Sequence, residues 1–148
     1  MKFIFLSLLL IVGCSKTSQK PAGSEKTSSI IQFEPININT VNGVIPATSL
    51  DFASLAYNET AQQDIIISNS GNSSFSLSES DFNLTQLSPF SIVSNACNVS
   101  IPSRKKCKIV LQVSNSSPLA QPQDVSSALI IKGSVISLTA NLQSAPVV

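Results

Sequence analysis

Three cysteines, Cys14, Cys97 and Cys107, carry the most versatile chemistry in this 148-residue chain, which has no histidine and no tryptophan. A thiol pair ten positions apart, such as Cys97 and Cys107 around Pro102, can close a disulfide, cycle as a redox couple or hold a metal. The last two usually rely on a C-x-x-C spacing or a histidine partner, and neither is present, so the disulfide is the reading the residues favour. Closing a loop of about 11 residues would contribute roughly 2.5–3 kcal/mol by restricting the unfolded chain. The lack of histidine excludes Ser-His-Asp and Cys-His sites and removes the side chain best suited to proton exchange near neutral pH. On that ground the chain is expected not to be an enzyme, and to need no cofactor and no metal.

Arg104, Lys105, Lys106 and Lys108 form the one dense charge cluster. It falls on the turn that a Cys97–Cys107 bridge would rigidify, where it could dock an anionic partner such as a phosphate-bearing glycan or an acidic protein loop. A solvated turn whose lysines discourage strand-to-strand aggregation would have the same composition. No aromatic residues interleave with the cations and the chain is not basic overall, with 9 Lys+Arg against 8 Asp+Glu, so no nucleic-acid partner is expected. Glu79 and Asp81, with Ser78 and Ser80, lack the closely spaced oxygens of an EF-hand loop. Asp51 and Asp64 offer no carboxylate pair for hydrolysis.

These residues must be carried by something that folds. Only 11% of residues are charged and 43% are hydrophobic, so the chain has apolar surface to bury, enough for one domain. Its first residues, MKFIFLSLLLIVGC, place Lys2 before an apolar run and a small Gly13, as a signal peptide does. The run is about ten residues, roughly 15 Å as a helix, half the thickness of a bilayer core. An exported chain is also the setting in which a disulfide persists.

The stretch Ile11-Val12-Gly13-Cys14 resembles the bacterial lipobox. The resemblance implies that residues 1–13 are removed, that Cys14 receives a diacylglycerol thioether, and that its new amino group is acylated, commonly with palmitate. The implied partner is then a membrane, reached through N-terminal acyl chains; two or three chains at about 0.8 kcal/mol per buried methylene hold permanently. Ser15 after the cysteine implies outer-membrane sorting under the enteric-bacterial rule, with the periplasmic or surface-exposed face left open. Residues 14–29 are a lipidated cysteine followed by a flexible Ser/Thr/Lys tether reaching roughly 20 Å. The five Asn-x-Ser/Thr triplets, from Asn58-Glu59-Thr60 to Asn115-Ser116-Ser117, are read as products of an Asn- and Ser-rich composition.

Beyond the tether, short alternating segments recur between turn signals. Strands are expected at 36–40, 48–52, 64–69, 75–77, 90–93, 106–113, 127–132 and 135–142. Cys107, Ile109, Leu111 and Val113 share one face, as do Ile136, Leu138, Ala140 and Leu142. Lys132-Gly133-Ser134 lies between two such runs and predicts a terminal hairpin. The spacing suggests an antiparallel sandwich or barrel.

The order Leu50-Asp51-Phe52, Ile65-Ile66-Ile67-Ser68-Asn69-Ser70-Gly71, Pro89-Phe90-Ser91-Ile92, Cys97, Pro102 and Cys107-Lys108-Ile109-Val110-Leu111 resembles the ASH or hydin-type immunoglobulin-like domain. In bacterial surface proteins this domain is often called choice-of-anchor D. The resemblance spans roughly 48–142 and departs in three places. Ala53 stands where the family has a glycine, Ser103-Arg104-Lys105-Lys106 replaces a short glycine turn, and Val113-Ser114-Asn115 replaces a Phe-x-Pro.

The expected fold is therefore all-β: an immunoglobulin-like antiparallel β-sandwich over 47–143, preceded by a signal peptide and a disordered tether. Residues 30–46 are an extended lead-in or an edge strand, and 144–148 a tail. The expected function is a lipoprotein of the bacterial cell envelope whose sandwich is a non-catalytic binding or adhesive module for a protein or glycan. The alternative is a periplasm-facing accessory, pilotin-like or scaffolding subunit of an envelope complex.

Overall fold

Residues that alternate apolar and polar bury one face when extended, and the chain uses this period throughout. In the computed structural model, which describes residues 30–41 and 43–147, the strands are β1 (Ile30–Gln32), β2 (Ile36–Thr40), β3 (Thr48–Leu55), β4 (Thr60–Asn69), β5 (Phe75–Ser76), β6 (Phe82–Leu84), β7 (Phe90–Asn95), β8 (Ser100–Ile101), β9 (Lys106–Ser114), β10 (Gln123–Ile131) and β11 (Ser134–Leu142). A single 3-10 turn, Glu79–Asp81, is the helical element among the described residues. Cys14, the leader and the tether lie outside the described residues.

The fold is the expected all-β sandwich. One sheet runs β7-β9-β4, with β1 and β2 both on the outer edge of β4; the other runs β3-β11-β10-β6, and β5 pairs with β8 in a small ribbon. Ile65 and Ile67 of β4 and Ile109, Leu111 and Val113 of β9 share one core with Phe52 of β3, Leu129 of β10 and Ile136 and Leu138 of β11, all of them buried. Phe52 spans the two layers: its ring meets Phe33 at 6.0 Å and Phe90 of β7 at 5.9 Å, both edge-on, the arrangement that ring quadrupoles favour.

The antiparallel pairing expected of the sandwich holds for most of its strand pairs, with three parallel exceptions. β4 with β9, β7 with β9, and β10 with both β11 and β6 are antiparallel, but β1 and β2 run parallel to β4, and β3 runs parallel to β11. A parallel neighbour requires a crossover. Here the chain makes it by passing from β2 in one sheet to β3 in the other and back to β4. Residues 30–46 thus contribute two strands to the sheet. The expected terminal hairpin is formed, in register from Gln123↔Leu142 to Ile131↔Ser134. Its turn residues Lys132 and Gly133 have φ of 50° and 85°, the left-handed pair that a two-residue hairpin turn needs.

The two ends of β4 mark the two ends of the sandwich. At one, Thr60 opens β4 and is in register with Ile30 of β1 and with Ser114 of β9. At the other, Ser68 near the end of β4 is in register with Lys106 at the start of β9.

Candidate functional site

The cation cluster sits at the Ser68 end, on the turn joining β8 to β9. Hydrogen bonds fix that turn against the loop after β4. Arg104 N–H donates to Asn69 O at 2.8 Å, Asn69 N–H to Lys105 O at 2.8 Å, and Lys105 N–H to Pro102 O at 3.1 Å. Ser103 Oγ donates to Gly71 O at 2.7 Å. Asn69, buried, is the hub: its Nδ2 donates to Ser73 O and Ile101 O, both at 2.9 Å, and its Oδ1 accepts from Gly71 N–H at 3.0 Å. The Cys97–Cys107 disulfide is formed, with Cα atoms 5.1 Å apart and both residues buried, so it anchors the base of β9 beneath the turn. Arg104 is held at φ 60°, a left-handed conformation that costs an L-residue roughly 1–2 kcal/mol.

The structure divides the four cations. Lys108 Nζ lies 3.1 Å from Asp64 Oδ2, across the β9–β4 pair, and is already committed to a carboxylate. Lys108 thus differs from the other three cations of the expected patch in having a carboxylate partner, 44 positions away on β4. Arg104, Lys105 and Lys106 are exposed, and none is ion-paired among the described residues.

Two grooves flank these cations. One, of about 410 Å³, is lined by Ile66, Val99, Ile101 and Pro102 beside the disulfide, with Lys105, Lys106 and Lys108 along it. The other, of about 810 Å³, is polar and lined by Ser68, Asn69, Ser70, Arg104, Lys105 and Lys106. Lys105 and Lys106 line both, forming a ridge between an apolar and a polar channel. Such an arrangement attracts anionic groups through its charge and offers apolar contact on one side.

Asp81, a poor candidate for a cation loop by its spacing, serves another purpose. Ser78 N–H and Ser78 Oγ donate to its Oδ2 at 2.7 and 2.8 Å, capping the 3-10 turn. The backbone hydrogen bond first, then the hydroxyl and the nearby charge of Lys132, hold its carboxyl below its ordinary range. Among the described residues, no three side chains of His, Cys, Asp or Glu converge as a metal cage would require.

Sequence reasoning singles out the cations but not their setting. Ser68, Asn69 and Val99 complete the grooves, and only Asn69 leaves a signal: it is an amide at a core-facing position of the alternation Ala61, Gln63, Ile65, Ile67, Asn69.

No family model and no curated protein matches the chain. Solved structures similar to it include the secreted serine protease VesC from Vibrio cholerae, with 15% identity, a TM-score of 0.42, and coverage of 65% of this chain and 22% of that one. Another is the Vibrio cholerae VesB protease, with 14% identity, a TM-score of 0.42, and coverage of 67% of this chain and 30% of that one. The chain thus spans less than a third of either. Both of these structures are proteases, against the expectation that the chain is not an enzyme, and that expectation is withdrawn. That expectation rests on the missing histidine, which excludes only histidine-dependent sites; Ser-Lys catalysis uses none.

Proposed function

We propose that this chain is a bacterial lipoprotein, anchored to the outer membrane through acyl chains on Cys14, whose immunoglobulin-like sandwich of the ASH type is a binding or adhesive module at the cell envelope. The observation that carries this reading is the sequence MKFIFLSLLLIVGCS: a charge, an apolar run too short to span a bilayer, and a lipobox-like end. The sandwich supports it, because the rigid turn bearing Arg104, Lys105 and Lys106 lies at the end of β4 opposite Ile30, where the tether joins. A protein or glycan partner would meet that end first.

Metabolic labelling with a palmitate analogue tests the anchor. The wild type takes up label and fractionates with outer membranes, whereas Cys14→Ala loses both; equal labelling and fractionation of the two would refute the reading. Protease treatment of intact and lysed cells then assigns the face. Cleavage on intact cells fits an adhesive module, and protection until lysis turns the search to envelope partners.

A further inference from the structure

Arg104 is an odd residue for its place. A left-handed position favours glycine or asparagine, and this one carries a long cation with no ion-pair partner among the described residues. It is followed by two further free cations on a turn fixed by the disulfide and by Asn69. We propose that this turn docks an acidic, partly apolar segment of a partner protein, laid across the Lys105–Lys106 ridge. Its carboxylates meet Arg104, Lys105 and Lys106, and one of its apolar side chains enters the groove of Ile66, Val99 and Pro102.

Charge selects this occupant over the chain's own tether. The tether, SKTSQKPAGSEKTSS, carries Lys16, Lys20 and Lys26 against Glu25, so it has the same sign as the turn. It also joins at Ile30, which is in register with Thr60, whereas the cations lie beside Ser68 and Asn69. At about 3.3 Å per residue, β4 separates the two ends by roughly 30 Å. Where Cys14 is lipidated, a point that rests on the proposed anchor, the turn lies at the end of β4 farther from the tether's attachment. A phosphate-bearing glycan would satisfy the lysines and leave the apolar groove unfilled. An extended peptide alternates its side chains from one side to the other, as a ridge between a polar and an apolar channel requires.

The test uses the full chain in neutral-detergent micelles, with empty micelles as the blank. Anisotropy of a fluorescein-labelled peptide alternating Glu and Leu is compared with that of a Glu/Ser peptide of equal length and charge. The Glu/Leu peptide should bind about tenfold more tightly, and its affinity should fall as salt is raised. The pair Lys105→Ser and Lys106→Ser should weaken both peptides about tenfold or more, while the uncharged Val99→Ser should abolish only the preference for Leu. Circular dichroism confirms that these exposed-site variants stay folded. Equal binding of the two peptides, affinity unchanged in the lysine variant, or dextran phosphate binding in place of peptide would each overturn the proposal. Loss of the anchor reading registers separately, as absent palmitate label with peptide binding intact.

Discussion

Ala53 holds a backbone conformation that favours glycine, and the structure gives that choice of residue an energy. Its φ is 56°, at the point in β3 where pairing with β11 shifts register between Thr139 and Asn141. The side chain is exposed, so its methyl group contributes little packing, and its N–H donates to Asp51 Oδ1 at 3.0 Å, a bond that glycine would keep. Removing Cβ relieves roughly 1–2 kcal/mol of left-handed strain. The freer unfolded chain takes back about 0.4–1 kcal/mol. Ala53→Gly should therefore stabilise the fold by about 0.5–1 kcal/mol, in contrast to glycine substitutions within ordinary strands. With a urea slope of about 2 kcal/mol per molar, the unfolding midpoint should rise by roughly 0.3–0.5 M. Ala53→Val, branched at Cβ, should move it the other way. A fall in the midpoint for Ala53→Gly, with the slope unchanged, would refute the assigned strain.

Replacing both Cys97 and Cys107 by serine should destabilise the protein by about 2–3 kcal/mol, read as a lower urea midpoint that matches the reduced wild type. Asn115→Ala removes the donor to Leu55 O and Gln143 O, at 3.0 and 2.8 Å inside a buried end, and should lower stability by about 2 kcal/mol in the same assay. The contribution of Asp81 depends on pH. Because its folded-state pKa lies below the unfolded value, its stabilisation is fully present above the ordinary value of 3.8 and is lost as pH falls through the lowered one. Asp81→Asn should accordingly lose stability at neutral pH and show a shallower decline below pH 3.8, measured by urea midpoints across that range.

Strands that bury one clean apolar face are legible in the sequence. β9 and β11 alternate without a break, and Lys132-Gly133 announces the hairpin before β11. The pattern predicts β4 from 64, yet the strand begins at Thr60, because Gln63 occupies a buried position and its polarity conceals the period. It predicts β10 from 127, yet that strand begins at Gln123, since its first half is largely exposed and has no pattern to read. β1, β6 and β8 are two or three residues long, shorter than any period can register. Parallel pairing is not legible at all: alternation specifies a face, not a neighbour. The same limit governs the site. The run from Arg104 to Lys108 can be read directly, but its division by Asp64 and its placement beside Val99 depend on strand register.

The buried polar residues show why this end of the sandwich holds its shape. Backbone carbonyls lose their ladder partners wherever a strand breaks or stops, and inside a protein they must find another donor. Gln63 donates through Nε2 to Glu34 O at 2.6 Å, in the gap between β1 and β2. Asn115 serves Leu55 O and Gln143 O, where β3 and β11 finish. Asn69 does the same at the opposite end, for Ser73 O and Ile101 O. Each of these amides lies on the core side because the interruption it repairs is there, and together they let strands change sheets without leaving these carbonyls unpaired. The cation turn is built on the last of the three. Its backbone is tied to Asn69 at Arg104 and Lys105, so the bonds that close the end of the fold also fix where Arg104, Lys105 and Lys106 emerge. A partner docking there meets charges on a backbone that is already ordered, and loses correspondingly less affinity to ordering them.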